Sequence, residues 1–147
     1  MHSAVRDTPV RITVAAIAAA AVAVGLLDLS SAAGAGSAAA TFRGQTATIT
    51  RGPGNDEIDG TAGRDIISAG GGNDEVDGHG GRDLICGGRG ADDLAGDTRL
   101  DSVYGGKGND SLDGNGGADR LVGGDGTDDI DGGGGDDTCS GEHVERC

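Results

Sequence analysis

Aspartate recurs at every ninth residue of this chain, ten times in succession between residues 56 and 137. Each aspartate closes a glycine-rich segment, in which the backbone carbonyls are sterically open. Carboxylate and carbonyl oxygens are the ligands that hard cations such as Ca²⁺ prefer, six to eight at a time. The spacing therefore indicates a series of cation sites rather than one. The candidate ligands are Asp56, Asp65, Asp74, Asp83, Asp92, Asp101, Asp110, Asp119, Asp128 and Asp137.

Two further columns hold the same register when the aspartate is numbered position 6 of a nonapeptide. Position 8 is Ile, Val or Leu in nine of the ten repeats, and Cys139 in the last. Position 4 is glycine in nine of ten, with Arg99 as the exception. No insertion or deletion interrupts residues 51–140, so this segment is one structural unit repeated.

These columns predict how the chain positions its carboxylates. Glycine is the residue that turns tightly or takes a positive φ without strain, so positions 1 to 4 predict a turn. Positions 7 to 9 alternate outward, inward and outward, which predicts a short strand with position 8 in a thin core. The sequence therefore predicts an all-β solenoid.

A second period of eighteen residues lies within the first. Eight of the ten outward residues at positions 7 and 9 of the odd repeats are acidic, and none of the ten in the even repeats is. Two nonapeptides therefore form one coil, giving about five coils with one acidic sheet and one acid-free sheet. The acid-free sheet includes Ile66, Leu84, Tyr104 and Val122, a candidate surface for self-association or surface contact. The alternative is that these residues follow β propensity alone.

The composition excludes several classes of function. The net charge is -14, and nucleic acid or an anionic lipid surface requires a basic patch. His79 and His143 have no second His or Cys at a zinc-ligand spacing, and no Ser-His-Asp set can be assembled. We therefore predict no catalytic residue and no small-molecule substrate.

The ends of the chain differ from the repeats. Residues 1–40 have a charged start, an apolar run and a small-residue stretch, which predicts a secretory signal peptide; a retained membrane anchor is the alternative. Residues 41–50 predict a lead-in strand that covers the first coil, and residues 141–147 predict a C-terminal cap. We expect a secreted, extracellular protein.

Three cysteines are too few for a disulfide framework. Cys139 and Cys147 are eight residues apart, and a disulfide between them would staple the cap; two separate thiols are the alternative. Cys86 lies at an outward position, too far along the solenoid from Cys139 to pair with it, which predicts an exposed odd thiol.

Residues 51–140 resemble the RTX-type calcium-binding repeats of secreted bacterial toxins, proteases and lipases. The resemblance implies a right-handed parallel β-roll in which each Ca²⁺ lies between equivalent turns of successive coils. The ligands it implies are the ten aspartates and the carbonyls of turn glycines such as Gly52, Gly54, Gly70 and Gly72. Counting four gaps on each of two edges gives about eight Ca²⁺ sites. The sites beside Arg99 are expected to be weak or missing.

The signal-peptide pattern, the thin core beside stacked aspartates and the lack of a catalytic set together predict a secreted, non-enzymatic protein that folds on Ca²⁺ binding, acting at a surface, in a matrix or as a calcium buffer. One alternative is the repeat module of an RTX enzyme or toxin that lacks its catalytic domain. Another is an adhesion or assembly module.

Overall fold

The structure is a computed structural model and describes residues 41–42 and 45–147. The signal-peptide prediction for residues 1–40 lies outside the described residues. Strands account for all regular structure in the described part, and no helix there is long and apolar enough to cross a membrane. In chain order the strands are β1 (Thr41–Phe42), β2 (Gln45–Thr46), β3 (Ile49–Thr50), β4 (Glu57–Thr61), β5 (Ile66–Gly71), β6 (Glu75–His79), β7 (Leu84–Arg89), β8 (Asp93–Ala95), β9 (Ser102–Lys107), β10 (Ser111–Asp113), β11 (Gly116–Gly117), β12 (Arg120–Asp125), β13 (Asp129–Asp131), β14 (Gly134–Gly135), β15 (Thr138–Ser140) and β16 (His143–Glu145).

Two parallel six-stranded sheets form the solenoid. The acidic sheet runs β4-β6-β8-β10-β13-β16, and the opposite sheet runs β3-β5-β7-β9-β12-β15. Paired residues are eighteen apart, as in Ile58↔Val76 and Ile67↔Ile85. The predicted β-solenoid with two nonapeptides per coil is therefore confirmed. The turns of odd-numbered repeats form one edge of the solenoid, and those of even-numbered repeats form the other; we call them the odd edge and the even edge.

The core is the column of position 8 side chains, which the alternation of the strands turns inward from both sheets. Nine of them are at most 2% exposed: Ile58, Ile67, Val76, Ile85, Leu94, Val103, Leu112, Leu121 and Ile130. Ile49 continues the column by one coil, because it pairs with Ile67 and is 5% exposed. The core is one aliphatic residue thick per strand, so the turns must supply much of the remaining stabilisation.

Strands of the opposite sheet are longer than the three residues predicted. β5, β7, β9 and β12 each have six residues and continue through positions 1 to 3 of the next repeat. Glycine at position 2 makes this possible: Gly88 has a φ of 116°, and a Cβ on it would lie 2.2 Å from the Gly70 carbonyl oxygen. The sequence pattern alone does not distinguish a glycine in a turn from a glycine within a β-strand.

The C-terminal residues close the solenoid with a strand. β16 pairs with β13 in register, Ile130 opposite Val144, although the offset has shortened to fourteen residues. Cys139 and Cys147 form a disulfide with a Cα–Cα distance of 6.0 Å, the pairing that the sequence favours. The segment thus extends the acidic sheet by one strand, and Val144 remains 42% exposed at the end.

Candidate metal centre

The stacking of the coils orients the column of aspartates. In eight of the ten turns the backbone N–H of the position 6 aspartate donates to Oδ1 of its equivalent one coil later. Asp92 donates to Asp110 at 3.0 Å, and Asp110 donates to Asp128 at 3.0 Å. The even edge repeats the arrangement, as in Asp101 to Asp119 at 2.8 Å. One carboxylate oxygen of each of the eight acceptor aspartates is therefore used within the fold.

In eight of the ten aspartates the second oxygen, Oδ2, is buried and has no hydrogen-bond partner in the described part of the chain. A buried carboxylate oxygen without a partner is costly, because water no longer solvates its charge. The residues with this oxygen are Asp74, Asp83, Asp92, Asp101, Asp110, Asp119, Asp128 and Asp137. A cation is the simplest group that satisfies acceptor-only oxygens of this kind.

Backbone carbonyls face the same places. A Cβ on Gly105, at position 1, would lie 2.4 Å from Asp110 Oδ2 and 2.7 Å from the carbonyl oxygen of Gly123, one coil later. On the even edge, a Cβ on Gly114 would lie 2.9 Å from Asp119 Oδ2 and 2.6 Å from the carbonyl oxygen of Gly132. The carboxylate of one coil and the carbonyl of the next thus border one small space. This oxygen set fits Ca²⁺.

Sequence reasoning missed the position 1 carbonyls. It considered the carbonyls of positions 2 and 4, whereas the structure brings the position 1 carbonyl beside Oδ2. The available signal was glycine at position 1 in eight of ten repeats, with Arg51 and Ala69 as exceptions. Glycine is needed there because a Cβ would occupy the space between the carboxylate oxygen and the carbonyl oxygen.

The four predicted glycine carbonyls line the odd edge. Gly52 O already accepts the Gly71 N–H at 3.2 Å. A Cβ on Gly72 would lie 2.3 Å from Gly54 O, and one on Gly88 would lie 2.2 Å from Gly70 O. A Cβ on Gly90, the position 4 glycine of the next coil, would lie 1.7 Å from Gly72 O. These carbonyls therefore stack along the solenoid, and their ligand role stays a prediction.

The two aspartates of the first coil differ from the other eight. Asp65 Oδ2 accepts the Thr61 N–H at 2.7 Å and the Thr61 hydroxyl at 2.8 Å. Asp56 is half-buried. Both remain predicted ligands, although the protein itself already satisfies the inner oxygen of Asp65. At the other end, Glu142 Oε2 accepts the Asp128 N–H at 3.4 Å and takes the place of a column aspartate.

Burial makes the central carboxylates weak acids in the absence of metal. Burial, followed by the neighbouring Asp83, Asp119 and Asp97 carboxylates, raises the pKa of Asp101 to about 7. Burial, followed by the Asp110 and Asp74 carboxylates, raises the pKa of Asp92 to about 6. Protons and cations therefore compete for these positions.

We predict that acid partly substitutes for metal. A raised folded pKa contributes stability that is present below the unfolded value of 3.8 and is lost as pH rises through about 6 to 7. In calcium-free buffer the β signal in far-UV circular dichroism should therefore grow as pH falls from 8 to 5. Asp101→Asn, a neutral isostere, should reduce the pH dependence. A β signal that declines over the same range contradicts this interpretation.

The repeat with Arg99 keeps its backbone hydrogen bond to the next coil and its buried aspartate, although Arg99 has a positive φ and the equivalent Gly81 and Gly117 do not. Arg99 has a φ of 89° and its N–H donates to Gly116 O at 2.6 Å. Asp101, two residues later, is 0% exposed like its equivalents. The predicted weakness of the adjoining sites therefore rests on strain and charge rather than on a broken turn.

Arg99→Gly is predicted to stabilise the folded protein by roughly 1 kcal/mol, because a left-handed backbone costs about that much for a residue with a Cβ. It also removes a positive charge near a cation site, so less calcium should be needed for folding. Urea unfolding at fixed calcium measures the gain. Arg99→Lys is the matched control, since it keeps both the Cβ and the charge and should change little. An equal gain in both variants would contradict the backbone explanation.

Cys86 is half-buried rather than exposed, which corrects the sequence prediction. It lies between Ser68 and Tyr104 in the ladder of the opposite sheet. Burial, and then the Asp92 and Asp110 carboxylates, raise the pKa of its thiol to about 11. The thiolate is the reactive form, so this thiol is a poor nucleophile in the folded protein.

We predict that iodoacetamide at pH 8 alkylates Cys86 at least 10-fold more slowly in the calcium-loaded protein than in guanidinium. Mass spectrometry of the non-reduced protein measures this, because Cys139 and Cys147 are joined and do not react. Equal rates in the two states would show that the ladder does not shield the thiol.

The opposite sheet offers less apolar surface than predicted. Ile66 and Leu84 are 7% and 8% exposed, so neither contributes an exposed patch. Tyr104 and Val122 are half-buried. Residues stacked at equivalent positions of successive strands shield one another, an effect that the alternation of a single strand does not reveal.

These features define a class: a parallel β-solenoid whose turns stack carboxylates and carbonyls along both edges. A family model described as RTX calcium-binding nonapeptide repeat (4 copies) matches residues 50–85, 87–121 and 113–142. The chain belongs to this family, and its repeats are calcium-binding repeats. The searches of curated proteins and of solved structures found no match.

Proposed function

We propose that this is a secreted, non-enzymatic protein whose folding is coupled to the binding of several calcium ions. The observation that carries the proposal is the set of eight buried, partnerless Oδ2 atoms. In the folded protein each of these oxygens carries either an unpaired negative charge or a proton. A cation bound between coils would neutralise that charge. Their number supports a stoichiometry near eight.

Calorimetric titration of the calcium-free protein with Ca²⁺ tests this proposal. We expect close to eight ions per chain and a large heat of folding, with affinity in the range of about 10⁻⁴ to 10⁻³ M that is typical of extracellular modules. A stoichiometry of one or none would overturn it. Mg²⁺ at the same concentration is the control ion, because it binds reluctantly to all-protein oxygen cages.

Secretion is supported by two features of the chain. Residues 1–40 have the pattern of a signal peptide, and the Cys139–Cys147 disulfide suits an oxidising compartment. Low intracellular calcium would keep the repeats unfolded until export. Fractionation of producing cells, with N-terminal sequencing of the exported form, tests this; a product that starts at Met1 inside the cell contradicts it.

The calcium titration only partly distinguishes a non-enzymatic protein from the alternative, an orphan module of an RTX enzyme or toxin. Its distinguishing test is reconstitution: the repeats would have to increase the activity of a separate catalytic protein. Among the described residues, 49–147 belong to the repeats and their caps. Most of their carboxylates lie in the turns or on the acidic sheet. We therefore favour a role in a matrix, at a surface or as a calcium buffer.

An assembly role is the second candidate, and the segregation of charge favours it. The exposed cations Arg89, Lys107 and Arg120 lie on the described strands of the opposite sheet, where Asp125 is the one exposed acid and lies 3.9 Å from Lys107, whereas Glu75 and Asp93 lie exposed on the acidic sheet. The two sheets have the same strand spacing, so the acidic sheet of one copy could match the opposite sheet of another. Because exposed ion pairs are weak, the contact should be salt-sensitive.

Sedimentation velocity in saturating calcium tests assembly. We expect association at low salt that is lost at 0.5 M NaCl and in the double variant Arg89→Glu, Lys107→Glu. Mixing that variant with Glu75→Lys, Asp93→Lys should restore association between the two. A monomer at all concentrations would overturn this candidate and leave the calcium proposal intact.

A further inference from the structure

His79 lies among carboxylates from three successive coils, a cluster that the linear sequence does not reveal. Its Nδ1 is 3.2 Å from Asp77 Oδ1, and its Nε2 is 3.7 Å from Asp59 Oδ1. Asp97 belongs to the following coil, and ligand atoms of Asp77, His79 and Asp97 all lie within 4.8 Å of one another. The sequence places no second His or Cys at a zinc-ligand spacing from His79, and the stacking of coils supplies carboxylates in their stead.

The fold places these side chains together through two periodic positions. Asp59 and Asp77 occupy position 9 of successive coils and are paired in the acidic sheet. His79 and Asp97 occupy position 2 of successive coils, both with positive φ, at 63° and 77°. Because equivalent positions are one coil apart, about 4.8 Å, the imidazole lies beside the carboxylates of the coils before and after it.

We propose that Asp77, His79 and Asp97 form a surface site for a divalent transition ion such as Zn²⁺, separate from the calcium turns. Imidazole nitrogen with carboxylate oxygen is a ligand set that suits zinc, cobalt or nickel. Calcium takes six to eight oxygens and gains little from a nitrogen. Asp59, at 3.7 Å from the ring, is positioned to orient the imidazole or to supply a further oxygen.

The site is distinct from the calcium turns in position as well as in chemistry. Its residues are half-exposed on the even edge of the acidic sheet: the His79 side chain is 47% exposed and that of Asp77 46%. The proposed calcium ligands nearest in sequence, Asp74, Asp83 and Asp101, are at most 3% exposed inside the turns. The two kinds of site therefore have separate ligands, and the Asp97 carboxylate, which also raises the pKa of Asp101, is the electrostatic link between them.

Cobalt provides the test, since Co²⁺ has visible absorption that reports nitrogen and oxygen coordination. The full-length protein, saturated with calcium so that it is folded, is titrated with Co²⁺ at pH 7.5, and Zn²⁺ is then used to displace it. His79→Asn is the informative variant, because Asn115 occupies the equivalent position of the next-but-one coil with the same φ of 63°. The Asn115 N–H donates to Asp113 Oδ1 at 3.0 Å, as the His79 N–H donates to Asp77 Oδ1 at 2.9 Å.

We expect one Co²⁺ per chain, displaced by Zn²⁺, with at least 10-fold weaker binding in His79→Asn and in Asp97→Asn. His143→Asn, on the last strand, should bind as the parent does. Unchanged binding in His79→Asn, or loss of cobalt on raising calcium alone, would overturn the site. Circular dichroism in calcium confirms that each variant is folded.

Discussion

Removal of calcium should convert the folded protein to a disordered chain. Eight buried carboxylate oxygens have no hydrogen-bond partner among residues 45–147, and equivalent aspartates repeat at every coil along both edges. Burying an unpaired charge costs on the order of several kcal/mol after relaxation. The core that opposes this cost is a single column of aliphatic side chains. We therefore expect metal binding to supply the free energy of folding.

Far-UV circular dichroism with EGTA at pH 7.5 measures this effect. The β signal should disappear when EGTA exceeds calcium and return when millimolar Ca²⁺ is added back, whereas millimolar Mg²⁺ should restore little of it. The disulfide between Cys139 and Cys147 is unaffected by EGTA, so reversibility does not depend on re-oxidation. A β spectrum that persists in EGTA would falsify calcium-coupled folding.

Gly105→Ala should strongly disrupt the metal centre. The added Cβ would lie 2.4 Å from Asp110 Oδ2 and 2.7 Å from Gly123 O, between the two oxygens that face a cation. Overpacking of this kind costs about 1–3 kcal/mol before the loss of a ligand geometry is counted. We expect the calcium concentration at the folding midpoint to rise at least 10-fold.

The matched control for Gly105→Ala is Gly116→Ala. Both glycines have φ values outside the left-handed region, and a Cβ on Gly116 meets nothing closer than Asp97 O at 3.8 Å. The two variants thus share the same change in chain entropy and differ in the space that the methyl group enters. Calcium titrations followed by circular dichroism compare them. Equal midpoints would show that the space beside position 1 does not hold the ion.

Much of the fold is readable from the sequence because its contacts are periodic. The columns at positions 6 and 8 predict which carboxylates face the turns and which aliphatic residues form the core. The acidic outward positions predict the eighteen-residue coil, which the register Ile58↔Val76 confirms. A solenoid repeats one local solution, so each column samples the same environment ten times.

Other features depend on contacts between coils, which a linear pattern does not contain. The position 1 carbonyls approach the carboxylates only because Gly123 stacks on Gly105 across eighteen residues. Ile66 and Leu84 are shielded although they lie at outward positions, so the predicted apolar surface is smaller than expected. Glu142 replaces a column aspartate through a shortened final coil, which breaks the nine-residue count.

The sequence by itself determined the class of ligand, the coil length and the identity of the aspartate column, since carboxylate chemistry and glycine stereochemistry act locally. Tertiary structure decided which oxygen is free in eight of the ten column carboxylates. Oδ1 accepts an N–H from the coil before it, and that bond leaves Oδ2 unpartnered and aimed at a carbonyl of the coil after it. The division of roles between two chemically identical oxygens exists only when three coils are stacked.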